Sequence, residues 1–139
     1  AFPVPVDLPT ASESAQAYER QILNVVGSPP IFDLVLLGMG EDGHTASLFP
    51  GKAVLHSKAW VEAAPHGALP PPVERITFTF PLICNARSVL LTATGSSKAP
   101  ALNRWTSGRG DIDSLPVMGL GALETRLRVL ADRDAAGGR

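Results

Sequence analysis

Asp42, Gly43 and His44 stand together in a stretch where three glycines, Gly38, Gly40 and Gly43, fall within six residues. An imidazole titrates near neutrality, so it can take a proton from water and return it within one turnover. A carboxylate two residues away is close enough to orient or polarise the ring. Glycine lets the backbone take positive φ and approach a ligand closely, which makes Gly40 and Gly43 candidates for substrate contact. His44 is thus the candidate general base and Asp42 its candidate partner. The competing readings are a histidine on a surface loop and an aspartate that satisfies turn amides. Glu41 reads as solvated. A metal pair would lack a third recognisable ligand, so no metal and no cofactor is expected. Ser47 follows His44 by three residues, but no Gly-x-Ser-x-Gly elbow is present to make it a nucleophile. His56 and His66 lie in polar or proline-rich surroundings and are given no role.

A second constellation is Thr94-Gly95-Ser96-Ser97-Lys98-Ala99. A strand running into a glycine and then a helix N-terminus offers free N–H groups and the positive end of a dipole, which suits a phosphate. Gly95 and Lys98 are the candidate phosphate contacts. Arg75 opens a segment of alternating polar and apolar residues and can bind phosphate or sugar oxygens. Its other reading is an exposed arginine at a strand end. Gly38-x-Gly40-x-x-Gly43 also matches a dinucleotide fingerprint, with Glu62 roughly 20 residues on, where a ribose-binding acid would stand. That motif needs a long helix beginning at its last glycine. Only six residues separate Gly43 from Pro50, so a nucleotide site is excluded by length.

The elements that must position these residues follow from periodicity. Leu34 to Leu37 is a continuous apolar run, the pattern of a strand buried on both faces that delivers the glycine turn at its C-terminal end. Open parallel sheets bind ligands at that edge. A first helix is expected from Thr10 or Ser12 to about Val26, ended by Gly27-Ser28-Pro29-Pro30. A short helical turn is expected over 44–49, a strand over 60–64 and a loop over 65–73. The run 75–80 reads as a strand with one wet face, and 81–86 as a short helix. A second core strand is expected over 88–94, followed by a helix from Ser96 or Ser97 to about Thr106. A last strand is expected near 127–130, with fraying from Ala135. The alternation predicts one α/β domain over 1–139 with a mainly parallel sheet and one antiparallel ribbon.

Gly-Met-Gly-Glu-Asp-Gly-His-Thr-Ala-Ser-Leu-Phe-Pro-Gly at 38–51 resembles the signature of the 6-phosphogluconolactonases. Glucosamine-6-phosphate deaminases carry a similar Asp-Gly-His turn, with a Glu five residues after the His; that place here is Phe49, which favours the lactonase branch. Arg75-Ile76-Thr77 and Gly95-x-x-Lys98-Ala99 are also similar to family segments, whereas 111–126 resembles the family poorly. The resemblance implies a Rossmann-like sheet with flanking helices. It also implies metal-independent hydrolysis of a phosphorylated sugar lactone, 6-phosphogluconolactone, in the cytoplasmic pentose phosphate pathway. It covers the C-terminal part of the family fold: neither the upstream Gly-Gly-Ser/Thr-Pro loop nor the Asp-Glu-Arg segment is found, and the chain begins at Ala1. The expectation is a fragment, or a site completed from elsewhere. The rival expectations are a non-catalytic phosphosugar-binding or assembly module and, further off, a deaminase.

Composition bounds these readings. With 139 residues, 45% hydrophobic and 18% charged, the chain is long enough for one core. A net charge of −1 and the lack of a Lys/Arg-rich run argue against a nucleic-acid partner. No apolar stretch approaches a membrane span, so no membrane partner is expected. One cysteine, Cys84, cannot form an internal disulfide and fits a reducing compartment. It is expected to be buried and inert, and Trp60 and Trp105 to be packing residues. A sheet edge without neighbours would invite pairing with another chain, so self-association is expected.

Overall fold

In the computed structural model, which describes residues 1–66 and 72–138, the chain is a mixed α/β structure with a parallel sheet and flanking helices. Helix α1 (Ala11–Val26) opens it, followed by β1 (Val35–Gly38), β2 (Val61–Ala64), β3 (Arg75–Phe78), α2 (Phe80–Cys84), β4 (Val89–Ala93), α3 (Ala99–Thr106) and β5 (Leu127–Ala131). Strands β1, β4 and β5 form a three-stranded sheet in the order β1-β4-β5, with both pairings parallel. Strands β2 and β3 form a separate antiparallel ribbon. The part of the expected 65–73 loop at 67–71 lies outside the described residues.

Thr10 caps α1 by accepting the Glu13 N–H at 3.1 Å, which satisfies one orphan donor of the first turn. Farther along, the Glu19 carboxylate of this helix accepts the N–H groups of Trp60 and Val61 at 2.8 and 2.9 Å, tying it to the start of β2. Ala15 and Ile22 pack with Val61 and Leu82, while Tyr18 and Phe32 stack on Phe78 at centroid distances of 6.0 and 5.8 Å. The larger core lies beneath the parallel sheet, where Val35, Leu37, Val89, Leu91 and Ala93 meet Leu48, Ile83, Leu115, Val117, Leu120 and Leu123.

Several expectations need correction. β1 is not buried on both faces: Val35 and Leu37 are buried, but Leu34 is 52% and Leu36 68% exposed. Leu36, Leu90 and Arg128 are register partners across the sheet, and that face has no covering layer among the described residues. β3 also lacks the wet face expected of it, since Ile76 and Phe78 are half-buried against the core. On the side expected to be wet, Thr77 and, just after the strand, Thr79 are buried because their hydroxyls find partners, the former accepting from Ser47 N and the latter donating to Trp60 O. Fraying is not seen at Ala135, which is fully buried and whose N–H donates to Asp132 at 2.7 Å. Residues 111–126, whose sequence predicts no element, supply four fully buried core side chains and a run of 3₁₀ turns over Pro116–Arg126.

Cys84 is half-buried; its thiol donates to Gly119 O, and burial pushes its pKa up, partly offset by the nearby Arg126. No helix among the described residues is long and apolar enough to cross a membrane.

Among the described residues strand β1 pairs only with β4, and its other edge has no strand neighbour there, beside the exposed Leu34 and Leu36. Such an edge pairs readily with another chain. Sedimentation of the 139-residue chain is expected to show concentration-dependent association that Leu36→Lys reduces. A monomer at every concentration would contradict it.

Candidate active site

The glycine turn leaves the C-terminal end of β1 and folds back on itself without forming a helix. Gly43 N–H donates to Gly40 O at 3.1 Å, and Gly40 N–H to His44 O at 2.8 Å. The expected helical turn over 44–49 is replaced by a tight bend in which Thr45 bridges Leu48 and Ala46 takes φ +49°. Three contacts pin the bend. The Thr45 hydroxyl donates to Gly38 O at 2.9 Å, Ser47 N–H donates to the buried Thr77 hydroxyl at 3.0 Å, and Leu48 is fully buried. Helix geometry loses here because these tertiary bonds satisfy the main chain better than a short helical turn closed by Pro50 would.

Within the bend, one Asp42 carboxylate oxygen accepts the His44 main-chain N–H at 3.0 Å and faces His44 Nδ1 at 2.6 Å. An ionised carboxylate only accepts, so the proton between them belongs to Nδ1, and in the neutral ring this arrangement leaves the lone pair on Nε2. No hydrogen-bond partner of Nε2 is found among the described residues. The His44 side chain is 23% exposed, enough for water to reach it.

The glycines have specific reasons to be glycine. A Cβ at Gly40 would lie 2.1 Å from the His44 ring and 2.8 Å from the Asp42 carboxylate. Gly43 has φ +81°, and a Cβ there would lie 2.3 Å from Leu115. Val117 N–H donates to Gly43 O at 3.0 Å, so the segment just after Leu115 buttresses the turn from behind. This support was missed in the sequence; the apolar spacing of Leu115, Val117, Leu120 and Leu123 was the signal that could have found it.

Phe49 lies against the imidazole with ring centroids 4.5 Å apart, and the Arg75 guanidinium carbon is 5.8 Å from the Phe49 centroid. Arg75 Nε is buried and has no protein acceptor among the described residues. The fold thus brings Gly40, Asp42, Gly43 and His44 together, with Arg75 reached through Phe49.

Gly95 and Lys98 leave the same sheet edge one strand over. Met39 N–H donates to Thr92 O, and the Thr92 hydroxyl to Leu37 O, so the two strand exits lie side by side. Neither Gly95 nor Lys98 makes a hydrogen bond or ion pair with Asp42 or His44. The Gly95 N–H, expected to face a phosphate, instead donates to both Asp132 carboxylate oxygens at 2.9 and 3.1 Å. Residues 96–98 form a single 3₁₀ turn before α3, and neither serine caps it with its side chain. Glu62 and His56 also have structural partners. Glu62 accepts the Ser57 hydroxyl. His56, given no role, faces Asp113 at 2.8 Å with both side chains exposed. Among the described residues no group of three or more His, Cys, Asp or Glu could hold a metal ion.

Comparison with known proteins places this geometry in a family. The chain is 44% identical over 108 residues to the chloroplastic 6-phosphogluconolactonase 3 of Arabidopsis thaliana, covering 77% of this chain and 32% of that protein. The solved 6-phosphogluconolactonase of Trypanosoma cruzi superposes with a TM-score of 0.82 at 32% identity, covering 91% of this chain and 52% of that one. A monomeric glucosamine-6-phosphate deaminase superposes with a TM-score of 0.76 at 24% identity over 99% of this chain and 59% of its own, a likeness of fold alone. The chain therefore spans from about a third to six-tenths of the length of the proteins it matches. The family profile described as glucosamine-6-phosphate isomerases/6-phosphogluconolactonase matches residues 1–128, and the chain belongs to that family.

Proposed function

We propose that this chain carries the catalytic histidine of a 6-phosphogluconolactonase, which hydrolyses 6-phospho-D-glucono-1,5-lactone to 6-phosphogluconate. The observation that carries the reading is the 2.6 Å contact of Asp42 with His44 Nδ1, which leaves Nε2 as the free basic nitrogen. In the reaction proposed, Nε2 takes a proton from water as the water oxygen bonds to the lactone carbonyl carbon. The tetrahedral intermediate then expels the ring oxygen, and the imidazolium returns the proton to it as a hydroxyl. Asp42 holds the tautomer and offsets the positive charge that forms on the ring. The lactone carbonyl is electrophilic enough that no covalent nucleophile is needed.

For substrate contacts we propose Arg75, with the main chain of Gly40 and Gly43. The buried and unsatisfied Nε of Arg75 supports an anionic oxygen as its partner. Gly95 and Lys98 are proposed for the phosphate. Since Asp132 holds the Gly95 N–H, we assign Gly95 a shaping role and Lys98 the charge. The proposed architecture is one domain over 1–139, corresponding to the C-terminal part of the family fold. Its proposed compartment is the cytoplasm, although the Arabidopsis relative is named chloroplastic. The second reading, a phosphosugar-binding module without turnover, draws on the Asp132–Gly95 contact, which fills part of the phosphate-facing loop.

Initial rates of acid release from freshly made lactone, corrected for spontaneous opening, test both readings. Activity above the blank that falls by roughly 10²–10⁴-fold in His44→Ala is expected of a general base. Binding of 6-phosphogluconate with a rate equal to the blank would establish the non-catalytic module instead. Gly40→Ala is expected to lower the rate on a comparable scale while the secondary structure persists by circular dichroism, because its Cβ would displace the imidazole. Full activity in Gly40→Ala would contradict the geometry described.

A further inference from the structure

We propose that Phe49 is a positioning residue that fixes the plane of the His44 ring, an inference that rests on the lactonase reading above. An imidazole bonded through one nitrogen can still swing about its side-chain torsions. Here Asp42 anchors the Nδ1 edge, and Gly40 lies so close to the ring that a Cβ would overlap it. Phe49 also meets the ring, tilted 46° to the imidazole at a centroid distance of 4.5 Å. That geometry is a tilted contact between two ring planes, which favours one orientation of the imidazole over others.

Phe49 is itself well held. It is 8% exposed, follows the fully buried Leu48, and ends the bend that Ser47 ties to Thr77. Its position therefore follows the core and not the solvent. The same ring meets the Arg75 guanidinium, so one apolar side chain sets the direction of the base and touches the proposed anion-binding residue. Loss of the ring frees His44 to turn Nε2 away from the attacking water. Misplacement of this kind by about 1 Å can lower a rate by around 100-fold.

The test compares wild type, Phe49→Leu and Phe49→Tyr by two readouts, the chemical shifts of the His44 ring protons without substrate and kcat and KM for the lactone. In the wild type the ring current of Phe49 is expected to displace the His44 protons from their free-peptide positions. Phe49→Tyr is expected to retain the displacement and kcat within about twofold, whereas Phe49→Leu loses the displacement and between about 10- and 100-fold in kcat. If Phe49→Leu does not fold, Phe49→Met supplies a ringless side chain of similar bulk. Undisplaced His44 protons in the wild type overturn the proposal. A ringless variant with lowered melting temperature but unchanged His44 shifts and kcat overturns it as well. A wild-type rate equal to the blank, with shifts that follow the variants as expected, sinks the lactonase reading and leaves the positioning role intact.

Discussion

A single carboxylate oxygen, on Asp42, receives both the main-chain N–H and the ring Nδ1 of His44, and the turn around it is shaped to keep that double contact. The first bond sets the local backbone; the second sets the tautomer. Together they fix the His44 ring within a short, glycine-rich bend. Gly40 provides the space the ring occupies, and Gly43 provides a positive φ with Leu115 against its α-carbon. In a more crowded sequence the carboxylate and imidazole could not share this volume.

The bend depends in turn on elements distant in the chain. Thr77 of the ribbon accepts Ser47 N–H, β4 accepts Met39 N–H, and Val117 donates to Gly43 O. Each is a buried or half-buried polar pairing whose loss would leave a main-chain group unsatisfied, at a cost of about 1–3 kcal/mol. The site is therefore held by the parallel sheet, the antiparallel ribbon and the 3₁₀ segment at once. Asp132, at the end of β5, extends the same logic to the neighbouring loop by holding the Gly95 N–H.

Local patterns carried much of this. Thr10 caps α1 as its side-chain chemistry suggests, β1 and β4 follow their apolar runs, and the Asp-Gly-His unit stands at the C-terminal end of a parallel strand. What periodicity could not reveal was set by tertiary partners. A run such as Leu34–Leu37 reads the same whether one face or both are covered, and here Leu36 is 68% exposed. Thr77 and Thr79 look like a wet face until the groups they bond, Ser47 and Trp60, are brought beside them. Residues 44–49 resemble a helical turn, yet Ala46 at positive φ and the Thr77 contact impose a bend. The core role of Leu115 and Val117 was masked by the Pro and Gly residues around them, which suggest a loop.

The most direct test of the central claim is the tautomer of His44, read from its ¹⁵N ring shifts at a pH where the ring is neutral. A proton on Nδ1, in a short hydrogen bond to Asp42, and an unprotonated Nε2 able to accept from water are expected. A ring carrying its proton on Nε2 would contradict the claim, because the nitrogen proposed as the base would then be a donor with no lone pair.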